Sequence, residues 1–252
     1  MFKKASFIYF KVLLSICCCF IIFVQSYAYS PADSSDENSF DVSGKFRVEL
    51  SLIGGSGFKK FDVGKTMEDE IVTISPGGGF GGKLSLGYCI TSSFNINVEF
   101  GGQSGGLSKK VENAKGSYSR TYFLGTLRYR IPITDVSSIN IGSGAGYYTS
   151  GKLDVDMSKV EGGAHNIYEY KNTTGINVFC EYEHLIPSFS FLDAIWSWSV
   201  SLKYYNLTYK LDKVTSDGKS IQLTSLPASL QNESKEIDGS GLDIIFSIIM
   251  NL

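Results

Sequence analysis

The sequence predicts an all-β protein, a single transmembrane antiparallel up-and-down β-barrel of eight strands. Three observations predict it. Eight runs alternate apolar and polar residues with period two, and almost no helical period separates them. Most runs span 9 to 14 residues, longer than the roughly 5–6 of a soluble strand. That length matches the ~9–11 residues, with short overhangs, that cross a bilayer at a tilt. The gaps between runs are 21, 3, 17, 7, 24, 11 and 31 residues, long and short in turn. Long loops on one rim and short turns on the other are the pattern of an outer-membrane barrel.

The chain opens on "MFKKASFIYFKVLLSICCCFIIFVQSYAYS". Lys3, Lys4 and Lys11 precede an apolar run from Val12 to Val24, and Ser26 and Ala28 offer small residues at a cleavage site. This is the layout of a secretory signal peptide over 1–28, cleaved after Ala28. The run is too short for a spanning helix, which needs about 20 residues. Cys17, Cys18 and Cys19 leave with it, and Ile16 before them is too large for a lipidation site. Cys89 and Cys180 remain, too few for a disulfide framework. Residues 29–44, "YSPADSSDENSFDVSG", read as a polar N-terminal linker, and 45–252 as the barrel.

The runs in order are "KFRVELSLIGG" (45–55), "GGGFGGKLSLGYCI" (77–90), "FNINVEFGG" (94–102), "RTYFLGTLRYRI" (120–131), "INIGSGAGYYT" (139–149), "TGINVFCEYE" (174–183), "IWSWSVSLKYYNL" (195–207) and "GSGLDIIFSIIMNL" (239–252). One parity of each run carries no charge; Val48, Leu50 and Leu52 represent it in the first, and Ile244, Phe246 and Ile248 in the last. The other parity holds Arg47, Glu49, Lys83, Glu99, Arg128, Arg130, Glu181, Lys203 and Asp243. Basic groups facing lipid cost about 2–4 kcal/mol each near the midplane. Their sum would rival a domain's whole stability of about 5–15 kcal/mol. The charges therefore face inward and the apolar parity faces lipid. Five basic against four acidic groups should pair as an internal salt-bridge network, since an eight-stranded barrel is just filled by side chains. Asn140, Gly142, Gly144 and Gly146 leave one inner wall thin, and Arg128 or Tyr122 is expected to fill the space.

Aromatic residues gather near the run ends. Tyr88, Phe94, Tyr129, Trp196 and Trp198 fall toward the short turns; Phe100, Tyr147, Tyr148, Tyr204 and Tyr205 fall toward the long loops. Two interfacial girdles are expected from them. A membrane sheet leaves no edge unpaired in lipid, so the last run must close on the first. The strand count, the loop alternation and this terminal strand, over roughly 45–252, resemble the small eight-stranded outer-membrane barrels: the OmpA transmembrane domain, OmpX and the opacity-type surface proteins. The resemblance implies a Gram-negative outer membrane, outer-membrane lipid around the barrel, and delivery by the barrel assembly machinery. In that group the last residue is commonly an aromatic; here it is Leu252, with Phe246 six residues earlier.

The signal takes three of the 23 basic residues and none of the 25 acidic ones, leaving 20 against 25. An acidic mature chain argues against nucleic acid as a partner. His165 and His184 fall at opposite rims and cannot share a metal, and no zinc ligand set is present. The glycine strings run on as strands and do not open helices, so they are not phosphate loops. No catalytic, cofactor or metal site is expected. The favoured reading is a structural or interaction protein, an adhesin or surface antigen, meeting a host or extracellular ligand through loops near 56–76, 103–119, 150–173 and 208–238. The alternatives are a narrow porin-like channel, a lipid A-modifying barrel enzyme and a soluble lipocalin-type barrel.

Overall fold

In the computed structural model, residues 41–65, 69–109, 111–160, 163–186, 194–222 and 234–252 are described. The expected signal peptide (1–28) and residues 29–40 of the expected linker lie outside the described residues. The strands are β1 (Phe46–Gly57), β2 (Phe61–Lys65), β3 (Ile71–Ile74), β4 (Gly79–Cys89), β5 (Phe94–Gly106), β6 (Lys115–Thr134) and β7 (Ser137–Asp156). They continue as β8 (His165–Tyr170), β9 (Thr173–Leu185), β10 (Ile195–Asn206), β11 (Thr208–Ser216), β12 (Lys219–Ile221), β13 (Glu236–Asp238) and β14 (Gly241–Asn251).

Eight of these close a barrel. Antiparallel pairing runs β1–β4–β5–β6–β7–β9–β10–β14 and returns from β14 to β1. The closing register pairs Arg47 with Asn251 and Gly57 with Gly241. Phe46 and Leu252 exchange both backbone hydrogen bonds, at 2.9 and 2.7 Å. Each of the eight runs read from the sequence is a barrel strand, and each neighbours the next.

The short connections are tight. Thr91 receives the Ser93 and Phe94 amides on its hydroxyl, which turns β4 into β5. Asp135 and Val136 alone separate β6 from β7. The end of the linker is tied down beside this rim: Val42 is fully buried with Cys89 and Leu185, and Gly44 donates to the Cys89 carbonyl.

The barrel is inside out by the standard of a soluble domain. Leu50, Phe80 and Ile176 are 68%, 68% and 63% exposed, and they belong to a continuous apolar belt. Ile139 shares the outward parity but is buried. A soluble monomer rarely exposes an apolar patch above a few hundred Å², so the belt is the surface that lipid covers.

The thin wall on β7 is filled differently from the expectation. Phe179 of β9, next to it in the sheet, leans over Gly142; a Cβ there would overlap its ring and the Leu127 carbonyl. Arg128 lies over the Phe179 ring at 5.4 Å, and Tyr122 packs instead against Gly101.

The larger difference lies at the long-loop rim. β6 and β7 are each 20 residues, about twice what a bilayer crossing needs. Their outer halves continue as a sheet with β8, β11 and β12, and β13 pairs with β11. The β2–β3 hairpin packs against it, joined through the Ile74–Leu107 bridge. Phe61, Ile74, Leu153, Val155, Tyr168, Tyr170, Val214 and Ile237 form the apolar centre of this cap. Asp217 and Gly218, both at positive φ, make the two-residue turn from β11 to β12. The long loops are thus largely a second folded layer and not simple connections.

These contacts yield a paired prediction. Gly142→Val should lower stability by about 1–3 kcal/mol through overpacking. Gly54, outward with nothing within 4 Å of an added Cβ, should accept alanine without cost. The temperature at which the SDS-resistant folded band disappears measures both.

Candidate functional site: the charged lumen and the cap

Every barrel strand puts charge, serine or both inward; the glycine-rich β7 contributes Ser138 and Asn140. The interior forms one ladder of ion pairs along the axis. From the short-turn rim, Arg130 meets Glu183 at 3.2 Å and Arg47 meets the same carboxylate at 3.0 Å. Arg47 and Arg128 share Glu181 at 3.5 and 3.4 Å. Glu49 then joins Arg128 at 3.1 Å to Lys83 at 2.8 Å. Glu99 joins Lys83 at 3.4 Å to Lys203 at 2.6 Å. Asp243 stands opposite Lys203 in the β10–β14 register and accepts from Gln103 Nε2 at 2.9 Å.

Neutral groups saturate the carboxylates. Asn140 Nδ2 donates to Glu181 and Glu183, both at 2.8 Å, and Ser197 donates to Glu183 at 2.7 Å. Ser51 and Ser247 donate to Glu49. Small hydroxyl and amide side chains on the remaining inward positions are what let long charged ones cross the lumen. The nine sequence-derived charges Arg47, Glu49, Lys83, Glu99, Arg128, Arg130, Glu181, Lys203 and Asp243 are all between 0% and 5% exposed. A water-lined channel would leave such groups wet; here protein atoms cover them.

Two charges of this interior were missed by the sequence reading. Glu183 sits two residues beyond Glu181 on the same parity, and Arg120 two residues before Tyr122. With them the buried set among the described residues is six basic and five acidic groups. The signal was the strand parity itself, carried through to the ends of the runs.

The eight outward aromatics do not all stand alike. Tyr88, Phe100, Tyr129 and Tyr147 are exposed, while Phe94, Trp196 and Trp198 are partly covered. Tyr204 has the outward parity but is buried, because Phe58 from the first long connection stacks on it at 5.9 Å. Tyr148 and Tyr205 turn into the barrel mouth, where Arg120 lies 4.3 Å above the Tyr205 ring.

The histidines lie at the two rims. His165 in the cap contacts Asp154 through Nε2 at 2.8 Å. His184 at the short-turn rim contacts Ser137 through Nδ1 at 2.7 Å, with Tyr182 and Trp198 beside it. Among the described residues there is no group of three or more side chains that could hold a metal. In the cap, burial pushes the Tyr168 and Tyr209 phenols above their usual range, and the Ser158 hydroxyl and amide hold Asp156 below its own.

No protein-family model matches this sequence, and no curated protein matches it. Solved structures do. The outer membrane protein OprG from Pseudomonas aeruginosa aligns at TM-score 0.54 and 11% identity, over 86% of this chain and 99% of that one. Neisserial surface protein A aligns at TM-score 0.45 and 11% identity, over 81% and 95%. Ail, the attachment invasion locus protein of Yersinia pestis, solved with the heparin analogue sucrose octasulfate, aligns at 0.41 and 12%, over 82% and 99%. The likeness to OprG shows the fold. The closed sheet, the apolar belt and that fold define the class: a small eight-stranded barrel of the outer-membrane type.

Breaking the ladder at its centre should be costly. Glu49→Ala leaves Lys83 and Arg128 each short of a carboxylate, and should destabilise the barrel by about 3–5 kcal/mol. Adding Lys83→Met, which removes one stranded cation, should recover part of that loss. Urea unfolding of the refolded protein in vesicles reads both; a loss below ~1 kcal/mol for Glu49→Ala would contradict the network.

Proposed function

We propose that this protein is a non-conducting surface platform of the bacterial outer membrane, an adhesin or surface antigen, whose folded cap meets an extracellular or host partner. The observation that carries the reading is the division of labour along β6 and β7. At about 3.3 Å per residue, their 20 residues give strands of roughly 65 Å. One half of each completes a lumen filled with paired charge. The other half builds a layer whose apolar centre continues into the barrel mouth, and it leaves Ile71 and Val160 exposed at 53% and 41%. A scaffold that spends half of its longest strands outside the bilayer suits a contact role.

In this reading the outward aromatics are the two interfacial girdles, β14 is the strand presented to the assembly machinery, and the ladder makes the barrel rigid without a pore. The chain is not read as an enzyme. Among the described residues, the close seryl–imidazole pair beside the membrane belt, Ser137 and His184, is a poor nucleophilic pair: Ser137 is 7% exposed and Tyr182 competes for the same nitrogen, at 3.4 Å.

Two measurements test this. Single-channel recording in a planar bilayer at neutral pH should show no steady conductance; a stable open level would favour a narrow channel instead. Replacing 58–75 and 208–238 by short turns should keep the heat-modifiable barrel and abolish adhesion of expressing cells to host cells or matrix. Adhesion that survives the loss of both segments would contradict the role given to the cap.

A further inference from the structure

At the short-turn rim the lipid-facing surface carries polar groups that the barrel itself does not satisfy. Ser137 of β7, His184 of β9 and Trp198 of β10 stand abreast in neighbouring registers, all on the outward parity. Ser137 is the first residue of its strand and His184 the last but one of its own. Ser137 Oγ contacts His184 Nδ1 at 2.7 Å. The Tyr182 hydroxyl contacts Ser137 Oγ at 3.1 Å and the same nitrogen at 3.4 Å. The rings of Tyr182, His184 and Trp198 lie within 6.3 Å of one another, and Trp198 stacks on Phe246 at 6.5 Å.

The two hydroxyls assign the imidazole's proton. If Ser137 donates to Nδ1 and Tyr182 donates to Ser137, both hydroxyl protons find acceptors; a proton on Nδ1 would strand one of them. Nε2 therefore carries the N–H. Among the described residues it has no acceptor, and neither has the indole N–H of Trp198 beside it. Hydrocarbon supplies no acceptor to either donor, so both need an oxygen from the polar end of a lipid. Their height suits one, because they stand at the strand ends beside the short turns, the periplasmic side of such a barrel. Toward the bilayer centre, Phe246 and Val200, 47% and 40% exposed, continue the surface as an apolar track. Glu183, next to His184 in the chain, faces the lumen and is held by Arg47 and Arg130, so it does not repel an anion outside. Paired donors at the rim above an apolar track fit a phosphate diester carrying acyl chains.

We propose that His184 and Trp198 hold one phospholipid of the periplasmic leaflet by the oxygens of its phosphate diester, with an acyl chain laid along Phe246 and Val200. Ser137 and Tyr182 are positioning residues, which fix the imidazole with its N–H turned to the lipid. The site depends on the barrel lying in a membrane and not on an adhesive role for the cap.

Palmitoyl-oleoyl phosphatidylethanolamine is the probe. Native mass spectrometry of the detergent-solubilised full chain, stripped of lipid and titrated with it, should show a single retained adduct. The matching diacylglycerol, which lacks the phosphate, should bind about tenfold more weakly, the effect of two hydrogen bonds. The His184→Phe/Trp198→Phe double variant keeps a ring at each position; it should show the heat-modifiable folded band and the same weakening toward the phospholipid. In vesicles of that phospholipid, solid-state NMR of the wild type with isotope-labelled histidine nitrogen should place a phosphorus about 4 Å from His184 Nε2, one hydrogen bond plus one P–O bond away. His165, the other histidine, lies in the cap and should give no such signal. Equal binding of the diacylglycerol, an adduct unchanged in the folded double variant, or no phosphorus near His184 would overturn the proposal.

Discussion

Backbone hydrogen bonding in lipid is the constraint on which the rest of this structure depends. Hydrocarbon offers no partner to an unpaired N–H or C=O, so a sheet that enters a membrane must close. Here the closure is the β1–β14 ladder, unbroken from Arg47 and Asn251 to Gly57 and Gly241. Closure here takes eight strands, and eight strands fix a lumen only as wide as side chains can fill. Every inward residue is then buried among other inward residues, whatever its polarity. That is why the interior tolerates eleven charges only as a connected ladder with serine, threonine and asparagine between the long side chains.

The same constraint explains the unusual composition of the two surfaces. Apolar residues are outside because lipid is there, and charges are inside because nothing else can hold them. Volume is balanced locally: β7 gives up side chains at Gly142, Gly144 and Gly146, and Phe179, Thr126 and Leu124 take the space. Beyond the bilayer the ordinary rule returns. The cap buries Phe61, Leu153, Val155, Tyr168 and Val214 and turns Lys, Asp and Glu outward. A single strand such as β7 therefore changes its inside from glycine and asparagine to leucine and valine along its length.

The barrel was legible in the sequence because period two persists over nine or more residues and every charge falls on one parity. What escaped reading has physical causes. Glu183 and Arg120 stand at the ends of their runs, where alternation fades into turns. The cap strands alternate too, as in "KLDVDM" and "NIYEY", but they are short and rich in charge, so they resemble solvated loop. Their pairing joins distant segments, such as Glu169 with Lys213, which local pattern cannot foresee. The burial of Tyr204 has the same origin, since Phe58 arrives from the opposite end of the chain. The filling of the β7 wall depended on Phe179 leaning sideways within the sheet, while the expected fillers, Arg128 and Tyr122, found other partners.

The assignment of faces can be measured directly without altering the protein. Its only two tryptophans, Trp196 and Trp198, both lie on the outward parity of β10, near the short-turn rim. Refolded into vesicles containing brominated phospholipids, the protein should lose most of its tryptophan fluorescence to bromines placed near the headgroup, and little of it to aqueous iodide. Fluorescence that iodide quenches and brominated lipid leaves intact would mean that this face meets water and that the two sides of the sheet are reversed.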